Sequence, residues 1–367
     1  MSTRGLAAAV AIVGGVALAM VLFVPVAATH YRRHGRFTFG DLVSLLAGAV
    51  YGLALWTYTL LPLPADDTFA CREPVTRWSQ ITEAIRAHPH DTLLDLARNP
   101  MVLQIALNVV LFVPLGVLLR VRARRGVVVA GLVGLATSLL IELTQYTGIW
   151  GLYPCAYRYF DIGDLVANPT GAVLGSVLAA VVAGRSLEPR VPVAPQLTRS
   201  RRLVAFVSDV LVFAVLGAMA VVAWRAWLLT DRTLPVATRD QTTLAMLQWG
   251  VPLALQAIAV LGWGRTIGEA VVQVRTRPRR RGTTVPARLI KLTTGVGALA
   301  LLGAGVVPGS GWLLLGLLGL HLVAAVLIPG SRGLSNTLAG LDVELSVRPP
   351  VGATVGSPAT GPPRVAG

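Results

Sequence analysis

Charge is scarce in this chain. Only 13% of its 367 residues are Asp, Glu, Lys or Arg, about half the usual share of roughly 25% in soluble globular domains. That shortage excludes an ordinary soluble fold, which needs more polar surface than this sequence can supply. Lysine is scarcer still, since Lys291 is the only one. Cysteine is limited to Cys71 and Cys155. No serine–histidine or cysteine–histidine arrangement stands out for nucleophilic catalysis. No inverted internal repeat of the kind that builds many secondary transporters is visible.

What the chain has is hydrocarbon. Hydrophobic residues make up 54% of it, and the mean hydropathy is +0.68. Apolar runs of about 18 or more residues recur, each long enough to cross a bilayer core of about 30 Å. The sequence therefore predicts an all-α, polytopic transmembrane helical bundle with nine membrane helices in two modules. The expected spans are Gly5–Ala28, Leu42–Leu63, Met101–Leu119, Val127–Tyr146, Leu165–Gly184, Leu203–Leu229 and Leu244–Trp263, followed by a hairpin of Leu292–Val307 and Trp312–Ile328. Residues 1–190 form the first expected module, with five helices, and 191–347 the second, with four. The linker Arg185–Arg202 carries three prolines, and the tail 348–367 is rich in Pro, Gly, Ala, Val and Thr. That composition reads as a disordered cytoplasmic tail.

The net charge is +15. The arginines lie between apolar runs, so they read as cytoplasmic loop charges rather than as a nucleic-acid surface. Basic clusters follow the first, third, fifth and seventh spans: Arg32, Arg33 and Arg36; Arg120 to Arg125; Arg185 to Arg202; and Arg275 to Lys291. The alternate connections are balanced or acidic. The positive-inside rule then places the N-terminus outside and the C-terminus in the cytoplasm of a multi-pass cell-membrane protein. The first span could alternatively be a signal peptide cleaved after Val26-Ala27-Ala28. Cleavage would leave Arg32, Arg33 and Arg36 outside, against the alternation. Charge alone puts Cys71 and Cys155 on the same external side, where a disulfide persists. A Cys71–Cys155 bridge is expected, because no third cysteine competes.

Polar side chains inside membrane spans are costly and mark function by default. The first module collects several at one depth, in the outer leaflet. Asn108 lies about two turns into the third span. Ser138, Glu142 and Gln145 share a face of the fourth, at spacings of four and three. Asp161, Asp164 and Asn168 open the fifth, with Arg158 just before them. Arg158 is the natural partner for Glu142, and Gly171 with Gly175 forms a small-residue ridge for close helix approach. Tyr146, Trp150, Tyr153, Tyr157, Tyr159 and Phe160 crowd the adjoining loop, as an interfacial belt or as flanks for an amphiphile's head group. The set reads either as a ligand-binding pocket or as a structural network locking three helices. A short amphipathic helix is expected in the loop Ala65–Pro100, where Trp78, Ile81 and Ile85 share a face before Pro89. In the second module Asp209 sits about 10 Å into its span, with Arg202 seven residues earlier as its expected partner. That pair is an ion pair or an ion-coupling site. Neither the histidines (His30, His34, His88, His90) nor any other group points to a metal or a cofactor.

The run Asn108-Val-Val-Leu-Phe-Val-Pro-Leu-Gly116 is similar to the N-x-x-L-F-x-P-x-G signature of VanZ-like membrane proteins. Ser138, Glu142, Gln145, Arg158, Asp161, Asp164, Asn168 and Gly171 continue that pattern in order. Leu60-Leu61-Pro62 resembles the family's earlier Leu-Pro element, and the loop Ile149–Tyr159 is expanded. The resemblance covers residues 40–185. It implies a bacterial envelope protein associated with lowered susceptibility to teicoplanin-type glycopeptides. Residues 195–345 resemble an RDD domain through Arg201-Arg202 to Asp209, Gly264-Arg-Thr266-Ile-Gly268 and Leu338-Ala339-Gly340. That family usually has aspartate where this chain has Asn336, and lysine where it has Glu269. The functional expectation is an outer-leaflet pocket that binds an amphiphile, with the bilayer and a lipid-linked or lipoglycopeptide ligand as partners. The alternatives are an ion-coupled transporter, a membrane enzyme acting on a lipid-linked envelope precursor, and a scaffold.

Overall fold

The computed structural model describes residues 3–64, 69–182, 196–230, 241–306, 308–328 and 332–346. The expected tail 348–367 and most of the expected linker lie outside the described residues. Among those described, nine helices are long and apolar enough to cross a membrane. The protein is a multi-pass membrane protein of almost wholly helical structure, and the lipid bilayer is its environment. The chain divides into two compact units, residues 1–19 with 44–189 and residues 20–43 with 190–367.

The helices α1 (Thr3–His34) and α2 (Phe39–Leu60) are each shared between the two units. The rest of the first unit comprises α3 (Trp78–Arg86), α4 (Leu93–Arg98), α5 (Pro100–Val121), α6 (Val127–Tyr146) and α7 (Asp164–Val182). Asn99 starts α5. Its side chain accepts from the Met101 amide at 3.1 Å, while its Nδ2 donates to the Ile85 carbonyl at 2.8 Å, so one residue caps a membrane helix and anchors α3. Pro100 follows at the first helical position, where its missing N–H costs nothing. The amphipathic α3 ends before Pro89 and buries Ile81, matching the expectation for this loop.

The α5 and α7 backbones approach closely because glycine faces backbone. A Cβ on Gly171 would run into the Val109 carbonyl, one on Gly175 into that of Val113, and one on Gly116 into that of Ala172. This is the ridge read from the sequence, extended by Gly116 on the opposing helix. Leu55, Phe112 and Ile141 form the buried apolar cluster of the unit. Outward positions are hydrocarbon, as at Val182, which is 86% exposed. In a bilayer these positions contact lipid rather than water.

The second unit contains α8 (Arg199–Thr230), α9 (Gln241–Trp263), α10 (Ile267–Val271), β1 (Val274–Pro278), α11 (Thr284–Gly303), α12 (Ser310–Leu327), α13 (Leu334–Leu338) and β2 (Leu341–Leu345). Arg201 ties residues 20–43 to this unit. Its guanidinium donates to the Gly35 carbonyl at 2.6 Å and lies over the Tyr31 ring, 4.6 Å from the centroid. Phe213, Val296, Leu299 and Ala300 make the apolar core here.

Two expectations are corrected in this unit. The eighth span begins at Thr284 rather than Leu292, so Arg288 and Lys291 lie in the helix and not in a loop. Their charges are tolerated because Lys291 is paired with Glu269 and Arg288 donates to the Gly262 carbonyl at 3.2 Å. The basic segment after α9 is partly a strand. β1 pairs antiparallel with β2, Val274 opposite Leu345 and Pro278 opposite Leu341. Arg275 meets Glu344 and Arg279 meets Asp342, both at 3.1 Å. Opposite charges on facing strands supply the cross-strand pairing that isolated arginines lacked in the sequence.

Candidate functional site

The first unit holds a cavity of about 400 Å³ at the disulfide-bearing end of α5, α6 and α7. Seven of the eight residues expected at the site line it: Asn108, Glu142, Gln145, Arg158, Asp161, Asp164 and Asn168. The eighth, Ser138, lies fully buried behind them. Its Oγ accepts from Asn168 Nδ2 at 2.9 Å and donates to the Asp164 carbonyl at 3.0 Å, so it positions the α7 residues without touching the cavity.

The acidic groups are held by donors rather than by cations. Glu142 Oε2 accepts from the Asp161 amide at 2.9 Å. Asp161 Oδ1 accepts from the Gly163 amide at 2.7 Å. Asp164 Oδ1 accepts from Asn108 Nδ2 at 2.5 Å. The carboxyl groups of Glu142 and Asp164 line the same cavity. Asp161, in the loop before α7, has its carboxyl pushed above the usual range by burial, partly offset by the Gly163 N–H. Among the described residues no ion pair reaches any of the three.

The expected Glu142–Arg158 pairing is therefore corrected. Arg158 donates instead to the Leu61 carbonyl at 2.7 Å. The reason lies in the Leu-Pro element that ends α2. The last carbonyls of a helix lack intrahelical partners, and Pro62 has no N–H to offer. Side chains from the 145–158 stretch fill the gap. Gln145 Nε2 donates to the Thr59 carbonyl at 2.7 Å, the Tyr157 hydroxyl to that of Leu60 at 2.9 Å and the Tyr153 hydroxyl to that of Pro64 at 3.2 Å. Burial raises the Tyr157 phenol, against the pull of the neighbouring Arg158 charge. The tyrosines of this loop thus cap a helix as well as flank the cavity.

A strap borders the cavity. Cys71 and Cys155 are disulfide-bonded, with Cα atoms 5.6 Å apart. Next to the bridge, the Arg72 amide donates to the Ala156 carbonyl at 2.9 Å and the Val75 amide to that of Phe160 at 2.7 Å. The strap brings in Arg72, whose guanidinium lies over the Tyr159 ring at 5.2 Å and donates to its hydroxyl at 3.2 Å. Arg72 and Gln104 were missed in the sequence. Gln104 precedes Asn108 by one helical turn, so the α5 face itself carried that signal. For Arg72 the only signal was its place beside a bridged cysteine. In the loop that carries Cys155, Ile149 and Trp150 both take positive φ, 56° and 58°. This backbone strain is unusual for a β-branched or aromatic residue, and it falls in the expanded loop.

The second unit treats its charges differently. Arg202 does not pair with Asp209. It donates to Glu269 Oε1 at 3.0 Å, which Asn336 Nδ2 also reaches at 2.8 Å, and Lys291 Nζ meets Glu269 Oε2 at 2.5 Å. Asp209 is held by Thr266 Oγ1 at 2.7 Å, Gln256 Nε2 at 2.8 Å and the Gly268 amide at 2.7 Å. It therefore sits at the N-terminus of α10, where a helix favours a carboxylate. Gly268 permits this approach, since a Cβ there would meet the Ala205 carbonyl and the Asp209 carboxyl. Burial alone would raise Glu269, but Lys291 and then Arg202 outweigh it and hold its carboxyl down at about 2. The adjoining cavity is small, about 50 Å³.

Residues 48–183 match the family model described as VanZ/LLP1. The matched stretch contains every residue of the cavity, together with both disulfide cysteines. No curated protein and no solved structure matches the chain.

Proposed function

We propose that this protein is a VanZ-like element of the bacterial cell envelope, whose cavity in the first unit holds the head group of an amphiphile. In this reading the disulfide-bearing end faces outward, with the N-terminus outside and the C-terminus in the cytoplasm. Support comes from the basic residues on every second connection and from the disulfide, a bond that persists in oxidising space. Residues 195–345 are read as an RDD-like module that supports the first. The observation that carries the functional reading is the gathering of seven polar side chains, from three membrane helices and one loop, around a single cavity of about 400 Å³. A bilayer offers such a cavity head groups on one side and acyl chains on the other. Association with lowered susceptibility to teicoplanin-type glycopeptides, which carry an acyl chain, fits the same chemistry.

The test is Glu142→Gln in a strain whose teicoplanin sensitivity depends on the protein. Glutamine keeps an acceptor for the Asp161 amide, so folding and membrane level stay at those of the parent while protection is lost. Full protection at normal protein level would remove the site from the function.

A second reading is acid–base chemistry on a lipid-linked envelope precursor. It is favoured by the Glu142, Asp161 and Asp164 carboxyls lining one cavity, a set of groups suited to acid–base work. It requires turnover by the purified protein, abolished in Glu142→Gln.

A further inference from the structure

The cavity changes chemistry with depth. Its closed end presents acceptors. Glu142 is 1% exposed and Asn168 4%. Asn168 spends its Nδ2 on Ser138, and its Oδ1 is buried with no hydrogen-bond partner. A buried acceptor left open costs free energy until a donor arrives. The carboxyls of Glu142 and Asp164 line the same space, and among the described residues no ion pair reaches either. The open end presents donors. Arg72 is exposed and Arg158 half-buried. Each guanidinium is engaged by a neutral oxygen, of Tyr159 or of Leu61. A guanidinium has five N–H groups, so both retain donors for an anion.

Resting on the head-group reading above, we propose that the cavity selects a lipid whose head group carries a primary ammonium and a phosphate, with the ammonium inward. The ammonium lies between Glu142 and Asp164 and donates to the open Asn168 Oδ1. The phosphate lies between Arg72 and Arg158, which suit its geometry. A metal ion fits less well, because no group of three or more His, Cys, Asp or Glu side chains among the described residues is disposed to hold one. A quaternary ammonium has the charge but no N–H to give. It would leave the Asn168 oxygen open.

The full chain in detergent, titrated with dihexanoyl phosphatidylethanolamine, phosphatidylcholine and phosphatidylglycerol, tests this. The ethanolamine lipid binds about tenfold more tightly than either other lipid, the margin of one charge-assisted hydrogen bond. Glu142→Gln removes that preference, whereas Arg158→Gln weakens all three lipids and keeps their order. Equal binding of the three, lost together in Glu142→Gln, overturns the ammonium selection and leaves the head-group pocket standing. No binding of any lipid by monodisperse protein overturns both. O-phosphoethanolamine binding as tightly as the lipid overturns the assignment to a lipid.

Discussion

The two units bury charge in opposite ways. In the second, Glu269 accepts from Arg202, Asn336, Lys291 and the Thr266 amide, and almost no space is left around it. In the first, three carboxyls line a cavity of about 400 Å³, and among the described residues no ion pair reaches them. What separates architecture from binding is saturation. A buried charge whose counter-charges come from its own chain holds a fold together, while one that faces space without a counter-charge is set to receive one.

That contrast breaks most visibly at Glu269. Glu269→Leu leaves Lys291 and Arg202 buried without their counter-charge, at a cost of roughly 3–5 kcal/mol. The expected result is a large fall in melting temperature or in folded yield. Adding Lys291→Met recovers much of it, since the pair is replaced by hydrocarbon. A Glu269→Leu variant as stable as the parent would remove the claim that this network is architecture. The pH dependence follows from the carboxyl held at about 2. A carboxyl depressed in the folded state contributes stability that is fully present above its ordinary value of 4.5 and is lost as pH falls towards 2.

A smaller effect is expected at the strap. Replacing Cys71 and Cys155 together by serine removes a link across 84 residues, worth typically about 2–4 kcal/mol. Here the loss falls on the cavity mouth, because Arg72 reaches Tyr159 only through the tethered segment. Proteolysis of the 69–76 segment is expected to quicken before any change in the helical circular dichroism. Cleavage and melting both unchanged would show the backbone bonds of the strap to be sufficient without the bridge.

Much of this was legible in the sequence, and the limits have physical causes. Apolar runs gave nine spans because crossing a bilayer imposes length and composition directly. The start of the eighth span is hidden because Arg288 and Lys291 look like loop charges until the Gly262 carbonyl is seen beside the one and Glu269 beside the other. The strand pair was invisible because its partners lie more than sixty residues apart. Helical spacing brings Asn108, Glu142 and Asn168 to one cavity, since period is a local property. Partners are less legible. Spacing and depth pair Arg158 with Glu142 and Arg202 with Asp209, whereas Arg158 answers the Leu61 carbonyl beside Pro62 and Arg202 answers a glutamate 67 residues away. Charge pairing between segments is set by packing, which spacing does not report.

The finest test of the comparison is Asp161→Asn, read as a pH profile. Burial raises the Asp161 carboxyl above its ordinary value of 3.8, the opposite of what Lys291 and Arg202 do to Glu269. A raised carboxyl binds its proton more tightly in the folded state. The stability this contributes is fully present below 3.8 and is lost as pH rises through the folded value. At neutral pH the ionised side chain is therefore a small burden on the first unit. Asparagine keeps the oxygen that accepts from the Gly163 amide and removes the charge, so the variant melts slightly higher than the parent at pH 7. The difference closes as pH falls to 3.8. Melting profiles of parent and variant between pH 4 and 8 measure it. A variant less stable than the parent at pH 7 would mean that Asp161 gains from its charge, and hence that a cation already serves the cavity. The contrast between a saturated unit and an open one would then fail at its most sensitive point.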